Sequence, residues 1–169
     1  MLPEKLRLTH KPDLVRVLFV GESAPAGGTF FYASDSNLYK YTRKAFELAA
    51  FSPEVGGGTF LDFFRWQGCY LLDLCEGPVN GLYGKTRRSL RREGVPRLIK
   101  SVNELEPSRV VVVMKGIQKE VKAAVRASCH PDLEVSVVPF PAQGHQRRFV
   151  HELEQILRGF ISEGVFLQK

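Results

Sequence analysis

The sequence predicts an α/β protein, a three-layer α/β/α domain built on a four-stranded parallel sheet. Three observations carry that reading. Four short runs are nearly continuous in apolar residues: Val15 to Val20, Cys69 to Leu74, Arg109 to Met114 and Glu134 to Val138. Runs of this length without alternation are how strands covered on both faces read, and coverage on both faces is the mark of a parallel sheet. Helix-like stretches separate the runs, which is the order that right-handed crossovers require. The chain has 169 residues, 44% of them hydrophobic, enough for one well-buried core and too few for two.

Taken in order, the first strand stops in Gly21-Glu22-Ser23-Ala24-Pro25-Ala26-Gly27-Gly28, a loop whose glycines let a backbone approach a ligand. The polar Ser34-Asp35-Ser36-Asn37 then starts a helix over Leu38 to Phe51, and Gly56-Gly57-Gly58 breaks it from a second helical piece, Thr59 to Gln67. After the second strand, Gly77-Pro78 to Gly84 reads as a loop and Pro96 as the start of a helix over Arg97 to Leu105. Helices over Ile117 to Ala127 and Gln146 to Ile161 follow the third and fourth strands. No segment is long enough for an interdomain linker, so residues 1–169 are expected to form a single domain. The opening MLPEKLRLTHKPD is mixed in charge and lacks the apolar stretch of a secretory signal, and the apolar runs are only strand-length. A soluble cytoplasmic monomer without membrane contact is the expectation. Cys69, Cys75 and Cys129 are an odd number without CxxC spacing, which provides neither a disulfide framework nor a four-thiolate metal site. No metal or cofactor is expected.

A formal net charge of +6 favours a polyanionic partner. Lys85-Thr86-Arg87-Arg88-Ser89-Leu90-Arg91-Arg92 concentrates five cations, and Gln143-Gly144-His145-Gln146-Arg147-Arg148 places more beside a glycine turn. Both suit phosphate contact, and both also read as ordinary solvated helix faces. In open parallel sheets ligands gather beyond the carboxyl ends of the strands. Glu22 stands there, directly after a buried strand, and so do Phe30, Phe31 and Tyr32, three rings in a row that are not expected all to face inward. His130-Pro131 precedes the fourth strand and so belongs to the opposite edge.

The segments after the four strands are Gly21-Glu22-Ser23-Ala24-Pro25-Ala26-Gly27-Gly28-Thr29-Phe30-Phe31-Tyr32, then Asp73-Leu74-Cys75-Glu76-Gly77-Pro78-Val79-Asn80, then Lys115-Gly116, then Pro139-Phe140-Pro141-Ala142-Gln143-Gly144-His145-Gln146. In that order and spacing the set resembles the uracil-DNA glycosylase superfamily, and its first loop is most similar to the thermostable iron-sulfur branch. The resemblance implies a sheet order of 2-1-3-4 and hydrolysis of the N-glycosidic bond of a deaminated or damaged base in DNA, the first step of base excision repair. It implies Glu22 as the water-positioning acid. Gly21, Ser23, Phe30, Phe31, Tyr32 and Asp73 would then form the base pocket, and Lys115, Gly116, Pro141, Ala142, Gln143, Gly144, Arg147 and Arg148 would grip the DNA backbone.

Three departures accompany it. Phe140-Pro141-Ala142 stands where the family carries His-Pro-Ser, leaving His145 to reach back toward the leaving base. Asp73 stands where many members read uracil with an asparagine, and an ionised carboxylate only accepts hydrogen bonds, which suits a base edge that offers donors. Three cysteines exclude the branch's four-thiolate cluster.

Two rival readings stay open. One is a non-catalytic DNA-binding module of the same fold; the other is a small-molecule nucleotide or nucleoside enzyme using the Gly21 to Gly28 loop as a phosphate nest. That loop matches neither GxGxxG nor GxxxxGK[ST], which counts against nucleotide cofactors.

Overall fold

The computed structural model describes residues 3–49 and 58–167. Along the chain come α1 (Pro3–Thr9), β1 (Val17–Gly21), α2 (Asn37–Leu48), α3 (Phe60–Trp66), β2 (Cys69–Asp73), α4 (Gly84–Leu105), β3 (Arg109–Val112), α5 (Gln118–Arg126), β4 (Val135–Val137) and α6 (Gln146–Ser162). Single 3-10 turns cover Phe31–Ala33 and Lys115–Ile117. The four strands form one all-parallel sheet in the order β2-β1-β3-β4. Val17 stands opposite both Cys69 and Arg109, and Val110 stands opposite Val135. This is the predicted α/β/α architecture with the predicted strand order.

The central strand explains why the sheet is covered on both sides: Val17, Leu18, Phe19 and Val20 are fully buried, with no polar face to give to water. Helix α2 buries Leu38, Thr42, Ala45 and Phe46, one stripe at helical spacing, and packs against α6 through the latter's Phe149, Leu153, Leu157 and Phe160. The Phe46 ring meets Phe19 of β1 and Phe60 and Phe64 of α3, tying α2 and α3 to the sheet. On the other side α4 packs on α5, which buries Val121, Ala124 and Val125. Ser36 caps α2 by accepting from the Tyr39 N–H, and Thr59 with Asp62 closes a capping box on α3.

Helix α4 departs from expectation. It begins at Gly84 rather than Arg97 and runs straight through Pro96. Pro96 is on the exposed face, while the half-buried Leu90 and the buried Gly94, Leu98 and Val102 recur every fourth residue along the inner one. That apolar stripe outweighs the lost donor and the steric penalty of an internal proline. Helix α1 was not anticipated because it is too short to show a period. Residues 50 and 51 of the expected first helix, with Gly56 and Gly57 of the glycine break, lie outside the described residues.

Gly94 marks where α4 crosses the end of β2. A Cβ there would stand 2.1 Å from the Leu74 carbonyl oxygen, a backbone atom that cannot swing away. Gly94→Ala is therefore expected to cost about 1–3 kcal/mol through overpacking. Gly159, inside α6 with nothing within 4 Å of such a Cβ, is the internal control. Gly159→Ala is expected to stabilise by about 0.5–1 kcal/mol, and opposite shifts of the two urea midpoints are the test.

Candidate functional site

The backbone at the carboxyl ends of β1 and β2 is held beyond the strands themselves. Leu74 N–H donates to Gly21 O and Cys75 N–H to Glu22 O, each at 2.8 Å, and Val113 N–H donates to Val20 O at 3.0 Å. The glycine-rich loop is stitched to the segment after β2: Ser23 Oγ accepts from Val79 N–H at 3.2 Å, and Asn80 Oδ1 accepts from Ala26 N–H at 2.9 Å. Glu22 thus leaves a main chain whose position is fixed on both sides.

The Glu22 side chain is buried, only 8% exposed, and lies under two arginines from successive turns of α4. Arg87 donates through Nε at 2.8 Å to Oε1 and through Nη2 to Oε2, a bidentate fork. Arg91 donates through Nε to Oε1 at 2.6 Å and through Nη1 to the Gly116 carbonyl at 2.8 Å. One carboxylate therefore organises two guanidinium groups and links the ends of β1, α4 and the turn after β3. Burial by itself would raise the Glu22 pKa, but the hydrogen bonds from Arg87 and Arg91 outweigh it and hold the carboxyl below the ordinary value. Glu22 is ionised, and two guanidinium charges against one carboxylate leave the trio cationic.

Asp73 occupies the end of the neighbouring strand, in register with Gly21. The two approach so closely that a Cβ on Gly21 would stand 2.8 Å from Asp73 Oδ1, so glycine is what makes room for this carboxyl. Burial pushes the Asp73 pKa up to about 6; Arg7 and Arg97 pull it down, and the charges of Glu22 and Glu4 add to the rise. Arg97 Nη2 donates to the Asp73 and Leu74 carbonyl oxygens at 2.7 and 2.9 Å, closing the end of β2. The Asp73 side opens on a small cleft of about 250 Å³ that Arg7, Lys11 and Arg97 also line.

Phe30, Phe31 and Tyr32 are a correction. All three are in the core, 8%, 3% and 2% exposed. The 3-10 turn at Phe31–Ala33 aims consecutive side chains inward, which an extended segment cannot do. Phe31 packs edge-on against Tyr32 and Tyr39 and tilted against Phe64, and Phe30 packs against Tyr32. The Tyr32 hydroxyl accepts from Leu71 N–H at 2.7 Å and meets Leu71 O at 3.2 Å. It occupies the backbone groups that edge strand β2 would otherwise leave unpaired. These rings seal the sheet and offer no free plate to a base.

No hydrogen bond or ion pair among the described residues joins the segment from Pro141 to Arg148 to Glu22. Pro141 is buried, Ala142 half-buried, and Gln143 and Gly144 form the bend with left-handed φ of 51° and 86°. His145 is exposed at the start of α6, and its side chain makes no hydrogen bond among the described residues. Gly144 and Arg147 line a separate groove of about 770 Å³ between α2 and α6, and Arg148 pairs with Glu152 at 2.5 Å. Lys115 is exposed, and its neighbour Gly116 reaches the Glu22 cluster through its carbonyl. Of the sequence-predicted set, the structure gathers Gly21, Glu22, Ser23, Asp73 and Gly116.

Arg87, Arg91 and Tyr83 belong to this rim although the sequence did not assign them to it. Arg87 and Arg91 stood in the basic segment as phosphate contacts, and their i, i+4 spacing was the signal that one group could receive both. Tyr83, at the N-cap of α4, is 79% exposed and lies within electrostatic reach of Arg87. Phe140, 41% exposed, follows β4 along the same rim of the sheet. The rim thus offers an ionised acid, a second carboxyl whose pKa burial raises to about 6, cations, and an exposed ring beside them. No helix among the described residues is long and apolar enough to cross a membrane. No protein-family model matches the chain, and no curated protein matches it.

Proposed function

We propose that the chain hydrolyses the N-glycosidic bond of a deaminated or damaged base in DNA. The observation that carries this reading is the placing of two carboxyl groups at the adjacent ends of β1 and β2, Asp73 in register with Gly21 and Glu22 next along the chain under Arg87 and Arg91, with Glu22 held ionised and burial raising the Asp73 pKa. Two carboxyl groups whose environments drive their pKa values apart are how one site runs acid and charge-stabilising chemistry together. As the bond breaks, the sugar gains oxocarbenium character that Glu22 stabilises while orienting the attacking water. The base departs with negative charge, which the protonated Asp73 carboxyl and the Arg87 guanidinium offset. Tyr83 takes the stacking role left vacant by the buried rings, since an extruded base needs a flat partner to recover its unstacking energy.

The test is alkali-revealed strand cleavage of oligonucleotides carrying uracil, hypoxanthine, xanthine or cytosine, single- and double-stranded. Wild type is expected to release at least one of these bases, and Tyr83→Ala to raise KM roughly 5- to 150-fold, the range of one lost base–aromatic stack. Failure to release any of them sinks the hydrolytic reading.

A second reading, a DNA-binding module that does not cleave, is favoured by the arginine clamp itself. A carboxylate committed to two guanidinium groups is a weak base, and its main effect is to hold those cations at the rim. Salt-sensitive DNA binding without base release is the result that selects it.

A further inference from the structure

On the α2 and α6 layer three arginines are matched one turn away, Arg43 with Glu47, Arg148 with Glu152 and Arg158 with Glu154, and Lys40, Lys44 and Arg147 are exposed without an ion pair among the described residues. The α4 and α5 layer carries more such cations. On α4, Lys85, Arg88 and Arg92 are exposed at i, i+3 and i+7, one face of the helix. From the turn before α5, Lys115, Lys119, Lys122 and Arg126 follow at i, i+4, i+7 and i+11, again one face, with Lys122 half-buried along its stem. None of the seven has an ion pair among the described residues. The acids of these helices are engaged or withdrawn: Glu93 accepts from Ser89, Glu104 pairs with Lys100, and Glu120 is half-buried. Like charges one turn apart cost a few tenths of a kcal/mol per pair in the free protein, a cost that a bound polyanion removes.

From this arrangement we infer that the outer face of α4 and α5 is a duplex-phosphate surface, a grip on DNA that starts beside the Glu22 rim and runs away from it along α5. The inference rests on DNA as the proposed substrate and adds where its backbone lies. The α5 stripe is about 16 Å long at 1.5 Å per residue, and packed helices stand about 8–10 Å apart, so the two stripes form one patch. A duplex carries one charge per about 1.7 Å of axis, so on the order of nine phosphates lie along that length and about half of them face one side, enough for the four cations of the α5 stripe. The exposed residues among and beside the stripes include Thr86, Ser89, Glu93, Pro96 and Ala123, and Tyr83 at the head of α4 is the one large ring beside them among the described residues. A membrane-binding face needs a set of large apolar residues to insert, which favours nucleic acid over lipid.

The experiment compares wild type with the triple variant Lys119→Gln, Lys122→Gln, Arg126→Gln by fluorescence anisotropy on a labelled undamaged duplex, across a salt series. The logarithmic salt slope is expected to fall by about 3, from three phosphate contacts at about 0.9 each, with an unchanged melting temperature reporting an intact fold. A wild-type slope in the triple variant, with the loss appearing on Arg147→Gln instead, overturns the inference. So does wild-type binding to phosphatidylserine vesicles but not to the duplex. Base release by wild type is read in the cleavage assay above, so a protein that binds through this face but releases nothing loses the hydrolytic reading and keeps this one.

Discussion

Glu22→Gln is expected to destabilise the fold by about 1–3 kcal/mol, the cost of removing the charged partner of two partly solvent-accessible arginines. Glutamine keeps the size and one acceptor, so the loss is of charge rather than volume. Arg91 suffers most, because its side chain is 14% exposed and its guanidinium is already committed to Gly116, whereas Arg87, 25% exposed, can turn part of its fork to water. A urea midpoint at neutral pH measures the total, and a double-mutant cycle with Arg87→Met isolates the pair. A coupling below 1 kcal/mol would class the clamp with ordinary surface pairs and remove its organising role. The pH sense follows from the lowered Glu22 pKa: its stabilisation is present above the ordinary value of 4.5 and is lost as pH falls through the folded value. Measured where the variant is still folded, base release should drop at least about 100-fold, the usual loss when an electrostatic stabiliser of a transition state is removed. Unchanged release would end the catalytic assignment of Glu22 while leaving its structural one.

The parts of the molecule that were legible in the sequence are those decided locally. Val17 to Val20 is apolar without alternation, and only a strand covered on both faces tolerates that. Glu22 was legible for the same reason, since the first charged residue after such a strand must stand at its mouth. What it touches was not, because Arg87 and Arg91 are brought to it by the crossover of α4 over the sheet, a contact across 65 and 69 residues. Pro96 hid the true start of α4, because the local rule that proline opens a helix points to Arg97, while burial of Leu98 and Val102 with Gly94 carries the helix through. Phe30 to Tyr32 misled in the opposite way. Aromatic residues in a glycine-rich loop read as ligand plates, but a 3-10 turn and an open strand edge at Leu71 gave all three a place inside.

Asp73→Asn is expected to stabilise the protein at neutral pH, by up to about 3 kcal/mol, and to do so less as the medium becomes acidic. An aspartate raised from its ordinary 3.8 to about 6 is a liability that grows with pH. Below 3.8 the carboxyl is neutral in both states and costs nothing. Between 3.8 and about 6 the folded protein keeps a proton that the unfolded chain gives up, so stability falls as pH rises through that window, and above it the full penalty of about 1.4 kcal/mol per unit is present. Asparagine has no charge to desolvate and removes the penalty. Urea midpoints at about pH 4 and about pH 7.5 decide the matter: near-equal stability in acid and a more stable variant at neutrality are expected. A variant less stable at neutrality would mean that Asp73 is held ionised by Arg7 and Arg97. The same proton bears on base choice. A protonated carboxyl presents one donor and one acceptor, as an amide does, so near pH 6 it can pair with a uracil edge that the ionised form repels. Uracil release by wild type should therefore fall as pH rises above about 6, whereas Asp73→Asn, whose donor does not titrate, should hold it level; a wild-type profile flat across that range would remove Asp73 from base reading.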